Sequence, residues 1–372
     1  MGERRKRKLS VLTGFYRNAS YATIDKYAGK VYTVFIVETE RSCSKVKTWK
    51  QWAAVGVAGL MLFSSVSVFR ENISGLQIAA FAESETEKTC TVPTATGTTQ
   101  LSYHETDEGT VEITKCDENV TGELQLPDTI EQKPVTCIGK SAFYACPQLT
   151  GIEIPDGVTA IGAYAFSDCN ALSQVSIPRS VVSIGNDAFS WECPWFQNLR
   201  ESQGMIVLGS VLYATGEQTA NELISSEYVD IAIPDGVKTI SQSLFETTSL
   251  RSVVFPSSLE TIETAAFSLT KLESLTLPDG VKTIQRKAFC QNSNLKTVSI
   301  PASVEFIGQD AFSQNKNLEA FSVAEDNSEY CSVDGVLYSK DMTTLIAYPP
   351  AKAGTSYRIP DTVKTISCCA FY

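Results

Sequence analysis

The sequence predicts a repeat solenoid: mostly β, with short turns and irregular or 3₁₀ segments, wound as a right-handed coil of 22–23-residue repeats with two longer, hairpin-bearing coils. Three observations carry this. A proline-centred phrase returns at Pro127, Pro155, Pro178, Pro234, Pro256, Pro278, Pro301 and Pro360, and from Pro155 to Pro178 and Pro234 to Pro301 its copies stand 22 or 23 residues apart. A phenylalanine follows each proline by 11 positions, except after Pro127, where Glu131 to Pro134 lengthen the turn and the distance is 16. An apolar phrase, Leu-x-x-apolar-x-apolar, precedes the proline, as in Leu172 to Ile177, Leu272 to Leu277 and Leu295 to Ile300. An array of this kind grows by stacking, so 372 residues need no division into two or three ordinary domains.

Taken in order, the chain is expected to comprise a basic region (1–50), a signal peptide or signal-anchor (51–82), a Thr-rich linker (83–100) and the solenoid (101–372). Trp52 to Phe69 is apolar or small throughout and uncharged, with Lys45, Lys47 and Lys50 behind it and Ala80-Phe81-Ala82 ahead. That order reads as a secretory signal. The competing reading is an uncleaved anchor with the basic residues inside. Either places the repeats outside the cell, secreted or membrane-anchored. Residues 1–82 carry a net charge of +8 and the remainder −19, of the total −11. So acidic a body repels nucleic acid. Membrane contact is expected only through the N-terminal apolar segment, if it is retained.

Within a repeat, period two places Val175 and Ile177 on one side of a strand and Ser176 on the other. The Pro-Asp-Gly or Pro-Ser-Ser corner follows; proline presets one turn dihedral and Gly157, Gly236 or Gly280 tolerates a positive one. Val-x-x-Ile and Ala-Phe then bring the phenylalanine to the coil centre. One coil alone buries too little apolar surface to offset the ordering of its backbone, so the rows of Ile, Phe and Leu must pack between coils. Four residues after the prolines stand Lys238, Glu260, Lys282, Glu305 and Lys364, whose alternating signs fit a stacked ion-pair ladder. Two gaps, Pro178 to Pro234 and Pro301 to Pro360, hold strand-like pairs: Met205–Leu208 with Val211–Tyr213, and Gly335–Tyr338 with Leu345–Tyr348 joined by a turn at 339–344.

Chemistry-bearing residues are few. The lone histidine, His104, reads as a surface or end-cap residue, and no G-x-G-x-x-G, P-loop or HExxH is present. Glu325-Asp326, beside Asn327 and Ser328, reads as a turn rather than a calcium site. Cys146 and Cys169 share one rung position and read as small buried hydrophobes. Cys90 and Cys116 are candidates for a staple at the N-terminal end, and adjacent Cys368-Cys369 is expected to be poor metal-site geometry. No metal, cofactor or catalytic residue is expected. The outward strand row, Glu153, Ser176, Ala232, Val254, Thr276, Ser299 and Ser322, is small and flat, unlike the Trp, Tyr and Arg that dominate interfaces. Aromatics gather instead at the interruptions. Trp191, Trp195 and Phe196 mark the first, and Tyr330, Tyr338, Tyr348 and Tyr357 the second. Trp191, Trp195, Phe196, Tyr330, Tyr338 and Tyr348 are the candidate binding residues; the competing reading makes them local core.

The unit L-x-x-[IV]-x-I-P-x-x-V-x-x-I-G-x-x-A-F-x-x-C, seen in Leu149 to Cys169 and Leu172 to Phe189, resembles the BspA-type leucine-rich repeat. The opening Gly109 to Thr114 with Leu126 to Ile130 and Pro134 to Gly139, and the phrase Asp334 to Tyr338, resemble that family's first repeat and its insertions. The resemblance covers about 101–372. It implies a leucine-rich-repeat-like, non-catalytic, secreted or cell-surface protein of adhesion and recognition, whose partner is a host or bacterial surface protein or glycan. The alternative is a targeting module of a larger surface enzyme with its catalytic domain beyond residue 372. The repeat phenylalanine Phe371 is followed only by Tyr372, and solenoid ends need a polar cap. The array is therefore expected to be truncated at that end.

Overall fold

The computed structural model describes residues 87–354 and 356–372, together with two short strands, Ser20–Thr23 and Thr33–Ile36, which pair antiparallel. The chain divides into two compact units, Met1–Ser84 and Glu85–Tyr372. The apolar segment, its basic flank and the Ala80-Phe81-Ala82 site lie outside the described residues. Among the described residues no helix is long and apolar enough to cross a membrane.

The second unit is a β-solenoid of about 11 turns. Each regular turn gives one short strand to a front sheet and one to a back sheet. Front strands come from the Leu-x-x-apolar-x-apolar phrase: Gly122–Gln125, Leu149–Glu153 and Gln174–Ser176 pair in parallel. Val229–Ala232 pairs with Leu250–Val254, and Ser274–Thr276 with Thr297–Ile300 and Ala320–Val323. Back strands come from Val-x-x-Ile and span two residues in the regular turns, as in Thr239–Ile240, Thr261–Ile262, Thr283–Ile284 and Phe306–Ile307. The proline between them lacks an N–H and turns the chain from one sheet to the other.

The third side of each turn carries the phenylalanine. In the regular turns residues two before and two after it lie in the left-handed region, as with Ala265 (φ 56) and Leu269 (φ 60) around Phe267; at Phe189, where the first interruption begins, only Asp187 does. Each such residue costs about 1–2 kcal/mol. Bonds to the next coil offset this: Ala265, Phe267 and Leu269 N–H donate to the carbonyls of Arg286, Ala288 and Cys290 at 3.0, 2.8 and 2.9 Å. The rings then stack along the axis. Phe143, Phe166 and Phe189 follow one another at 5.0 and 5.2 Å between centroids, and Phe245, Phe267, Phe289 and Phe312 at 5.1, 5.3 and 5.7 Å. In Ile161-Gly162 and Ile184-Gly185 the glycine lets coils touch: a Cβ at Gly185 would lie 2.3 Å from the Ala163 nitrogen.

Three residues after the phenylalanine the wall changes character along the array. Cys146 and Cys169 are fully buried there, and the Cys169 thiol donates to the Phe143 carbonyl at 3.0 Å. The equivalent Thr270, Asn292 and Asn315 form a buried polar ladder instead. Asn292 Nδ2 donates to the Phe267 carbonyl at 2.9 Å, and its Oδ1 accepts from Thr270 N–H at 2.9 Å and from the Thr270 hydroxyl. Asn315 Oδ1 accepts from Asn292 N–H at 2.7 Å.

The charge ladder forms over its central part. Glu260 lies 2.9 Å from both Lys238 and Lys282, and those contacts, Lys282 first, hold its carboxyl below the usual range. Glu305 continues the backbone stack, its N–H donating to the Lys282 carbonyl at 2.8 Å. Lys364 does not join. Its N–H donates to Thr343 at 2.7 Å, because the second interruption stands between it and Glu305. Lys282→Glu, which faces Glu260 with a like charge, is expected to lower the melting temperature at low ionic strength. The loss should shrink in 1 M salt, where the Debye length is about 3 Å; equal melting curves at both strengths would remove the ladder's role.

Three expectations are corrected. Residues 89–99 are no tether: Lys88–Thr94 and Gly97–Glu105 form an antiparallel hairpin. Its threonines suit a strand, and Val92, Leu101 and Tyr103 point inward at 5%, 0% and 2% exposure. The hairpin pairs with both Gly122–Gln125 and Val111–Cys116, joining front to back across the open end as an N-terminal cap. Second, Cys90 and Cys116 do not staple. Each pairs with Leu101, from opposite sides of its strand. That separates them by roughly two strand spacings, about 10 Å, and both are free. Third, the first interruption holds more than its hairpin, Met205–Leu208 with Val211–Thr215. Two helices lie there: α1 (Pro194–Ser202) takes the place of a front strand, and α2 (Glu217–Ser225) follows the hairpin and leads into the front strand Val229–Ala232. The second interruption is a three-strand meander, Tyr330–Val333, Val336–Ser339 and Thr344–Ala347. Glu325-Asp326 lies in a turn, anchored by fully buried Asn327, which donates to the Pro301 and Val304 carbonyls at 2.9 and 3.0 Å.

Candidate binding groove

At the N-terminal end of the front face the strands carry a groove of about 660 Å³. Its floor follows from the pleat. Register aligns Glu123, Gly151 and Gln174 in one outward row and Gln125, Glu153 and Ser176 in the next, while Leu124 and Ile152 point to the core. Gly151 keeps the floor low, since a Cβ there would meet Glu123 Cγ at 2.8 Å. One wall is the tip of the cap hairpin, Pro93 to Ala95, and the other is Trp195. A second hollow, about 550 Å³, runs along the Pro155-Asp156-Gly157 corner and shares Gln125, Glu153 and Ser176. The polar row is therefore accessible from two sides.

Helix α1 sets the Trp195 wall. Cys193 is extended (φ −70, ψ 139), Pro194 opens the helix with its preset φ, and Arg200 lies in the last turn, where the helix dipole favours a cation. Trp195 N–H donates to the Leu172 carbonyl at 3.1 Å, which docks the helix on the preceding coil. The Trp195 ring packs on Phe189 at 5.0 Å.

The other predicted site residues take different places. Phe196 is fully buried and extends the core where the phenylalanine column is interrupted. Trp191 is 50% exposed, set edge-on to Phe196 at 5.4 Å, with the Arg200 guanidinium 4.7 Å over its ring. Arg200 also reaches Glu217 at 3.5 Å, tying α1 to α2. At the second interruption Tyr330 and Tyr348 line a separate hollow of about 420 Å³. The Tyr330 hydroxyl accepts from Ile307 N–H at 2.8 Å. Tyr338 is fully buried with its hydroxyl on that of Tyr357; burial first, then this bond, holds its phenol above the usual range. Tyr348 stacks on Phe371 at 5.1 Å. His104 sits in the cap, 3.5 Å from the Glu112 carboxylate.

The outward row is exposed at Glu153, Ser176, Ala232, Val254, Thr276, Ser299 and Ser322, as its period requires. It is not one sheet: α1 stands between the strand of Ser176 and that of Ala232, and Leu250–Val254 does not pair with Ser274–Thr276. Of the residues that make the groove, Trp195, Glu153 and Ser176 were named from the sequence; Glu123, Gln125, Gln174 and the hairpin tip were not. Their signal was present in the alternation of Gly122-Glu123-Leu124-Gln125 just before Pro127.

Coils of this period with a stacked phenylalanine column define a leucine-rich repeat protein. A family model described as BspA type Leucine rich repeat region matches residues 136–217 and 220–332 in 6 copies, just over half of the chain. The chain belongs to that family. No curated protein matches it. Several solved structures resemble it. A leucine-rich repeat protein from Eubacterium ventriosum is 23% identical over 76% of this chain and 57% of its own, with a TM-score of 0.35. A leucine rich cell surface protein from Faecalibacterium prausnitzii is 25% identical over 74% and 65%, with a TM-score of 0.32. The pneumococcal vaccine antigen PcpA is 21% identical over 76% and 62%, with a TM-score of 0.30. The chain spans less than two thirds of the length of each of these three.

Proposed function

We propose that this is a secreted or surface-displayed recognition protein that binds a glycan in the groove between the cap hairpin and Trp195. The observation that carries the reading is the pairing of an indole wall with a floor of Glu123, Gln125, Glu153 and Gln174. Carboxylate and amide oxygens accept from sugar hydroxyls, amide nitrogens donate, and an indole packs against the C–H face of a ring. The acidic floor favours neutral or cationic sugars over sialylated or phosphorylated ones. Family membership and the order of basic flank, apolar segment 52–69 and Ala80-Phe81-Ala82 support placement outside the cell.

The test is a glycan and surface-protein array probed with the purified full chain, repeated with Trp195→Ala and Ser176→Arg. Trp195 also packs on Phe189, so its variant can lose stability. Ser176 is exposed and its variant fills the groove without touching the core. A glycan hit weakened at least tenfold by Ser176→Arg, at unchanged melting temperature, is the expected result. A hit indifferent to Ser176→Arg, or hits confined to proteins, would overturn the glycan groove.

A further inference from the structure

The structure assigns a divalent-metal site to Asp310, Cys368 and Cys369, of the class that takes zinc. The phrase itself builds it. Asp310 and Cys369 each stand two residues before a repeat phenylalanine, Phe312 and Phe371, and both are left-handed, with φ of 59 and 57. The last coil touches the Asp310 coil at this corner, with Gln314 N–H donating to the Tyr372 carbonyl at 2.7 Å, while elsewhere the second interruption lies between them and Phe371 stacks on Tyr348. The carboxylate and the thiol therefore hold the same position of the repeat phrase in two coils that meet at this corner. The proposal departs from the expectation that adjacent cysteines are poor ligands: Cys369 is left-handed, and the two Sγ atoms lie 3.5 Å apart.

Three features point to a cation. One ligand atom from each residue lies within 4.8 Å of the other two. Two thiolates on one tetrahedral ion at about 2.3 Å each would be about 3.7 Å apart, close to the separation seen. Asp310 Oδ1 is shielded from solvent without a hydrogen-bond partner, an arrangement a bound cation would relieve. The cluster borders the hollow lined by Tyr330 and Tyr348, and three protein ligands leave a coordination position for water or an external donor. Binding displaces the two thiol protons, so affinity rises with pH.

The reduced full chain is titrated with cadmium, read by thiolate-to-cadmium ultraviolet absorption, and with zinc, read by equilibrium dialysis. One equivalent is expected. The double variant Cys368→Ser, Cys369→Ser should lose both the absorption and that equivalent, and Asp310→Asn should weaken binding at least tenfold. All three positions lie outside the phenylalanine column, and melting curves confirm that the variants fold. Reduced wild-type protein that takes up no metal would overturn the site. So would uptake unchanged in the double variant, which would place the metal on other cysteines.

Discussion

Replacing Phe267 with Ala is expected to destabilise the solenoid by about 3–5 kcal/mol, the range for removing a buried phenylalanine. Phe267 is fully buried, stacked between Phe245 at 5.1 Å and Phe289 at 5.3 Å, with Phe255 edge-on at 5.6 Å. The left-handed residues on either side, Ala265 and Leu269, fix where the ring enters. Neighbours therefore collapse little into the cavity, which puts the cost at the upper end of the range. In a stack, each coil draws stability mainly from its two neighbours, so the damage should be local. Hydrogen exchange is expected to accelerate first at 239–290 and later in the cap hairpin. Urea denaturation measures the total; a loss below about 1 kcal/mol would mean that the column does not carry the interior.

Asn292→Leu is expected to cost about 2–6 kcal/mol although it replaces a polar core residue by an apolar one of similar volume. The side chain satisfies the Phe267 carbonyl and the Thr270 N–H, and is itself fully buried. Leucine leaves both backbone groups without partners in a place water does not reach, at about 1–3 kcal/mol each. Thermal unfolding of the variant beside Cys146→Ala separates the two halves of this wall. The cysteine variant removes one thiol with its weak 3.9 Å contact to the Asp117 carbonyl, and the asparagine variant breaks a network. If the two cost the same, the ladder is not a network.

Much of this architecture is legible in the chain because its signals are local and repeated. The 11-residue step from proline to phenylalanine holds within a single turn, so it reads directly as a coil with a plugged centre. What escapes is whatever depends on a neighbour supplied by the fold. Thr91, Thr94 and Thr98 look like linker composition until Gly122–Gln125 and Val111–Cys116 offer open sheet edges to pair with. Helix α1 is nine residues long, below the length at which helical period declares itself; only Pro194 and the Trp195–Leu199 spacing announce it. The groove is legible in part for the same reason. Trp195 is conspicuous by type, whereas Glu123 and Gln174 become one row only when separate coils fall into register. The aromatics divide by depth, which type alone does not encode: Phe196 and Tyr338 went inside, and Trp191 stayed at the surface.

The alternation of Lys238, Glu260, Lys282 and Glu305 has a consequence for how such an array can lengthen or shorten. The apolar interior treats every coil alike, since a phenylalanine meets a phenylalanine on either side. The charge row does not. Deleting the single coil that carries Glu260 would bring Lys238 and Lys282 together, and duplicating it would set glutamate on glutamate. Changes of two coils preserve the order of signs. In this block the unit of duplication compatible with the surface is therefore the coil pair, and the molecule has an even-odd parity that its core does not possess.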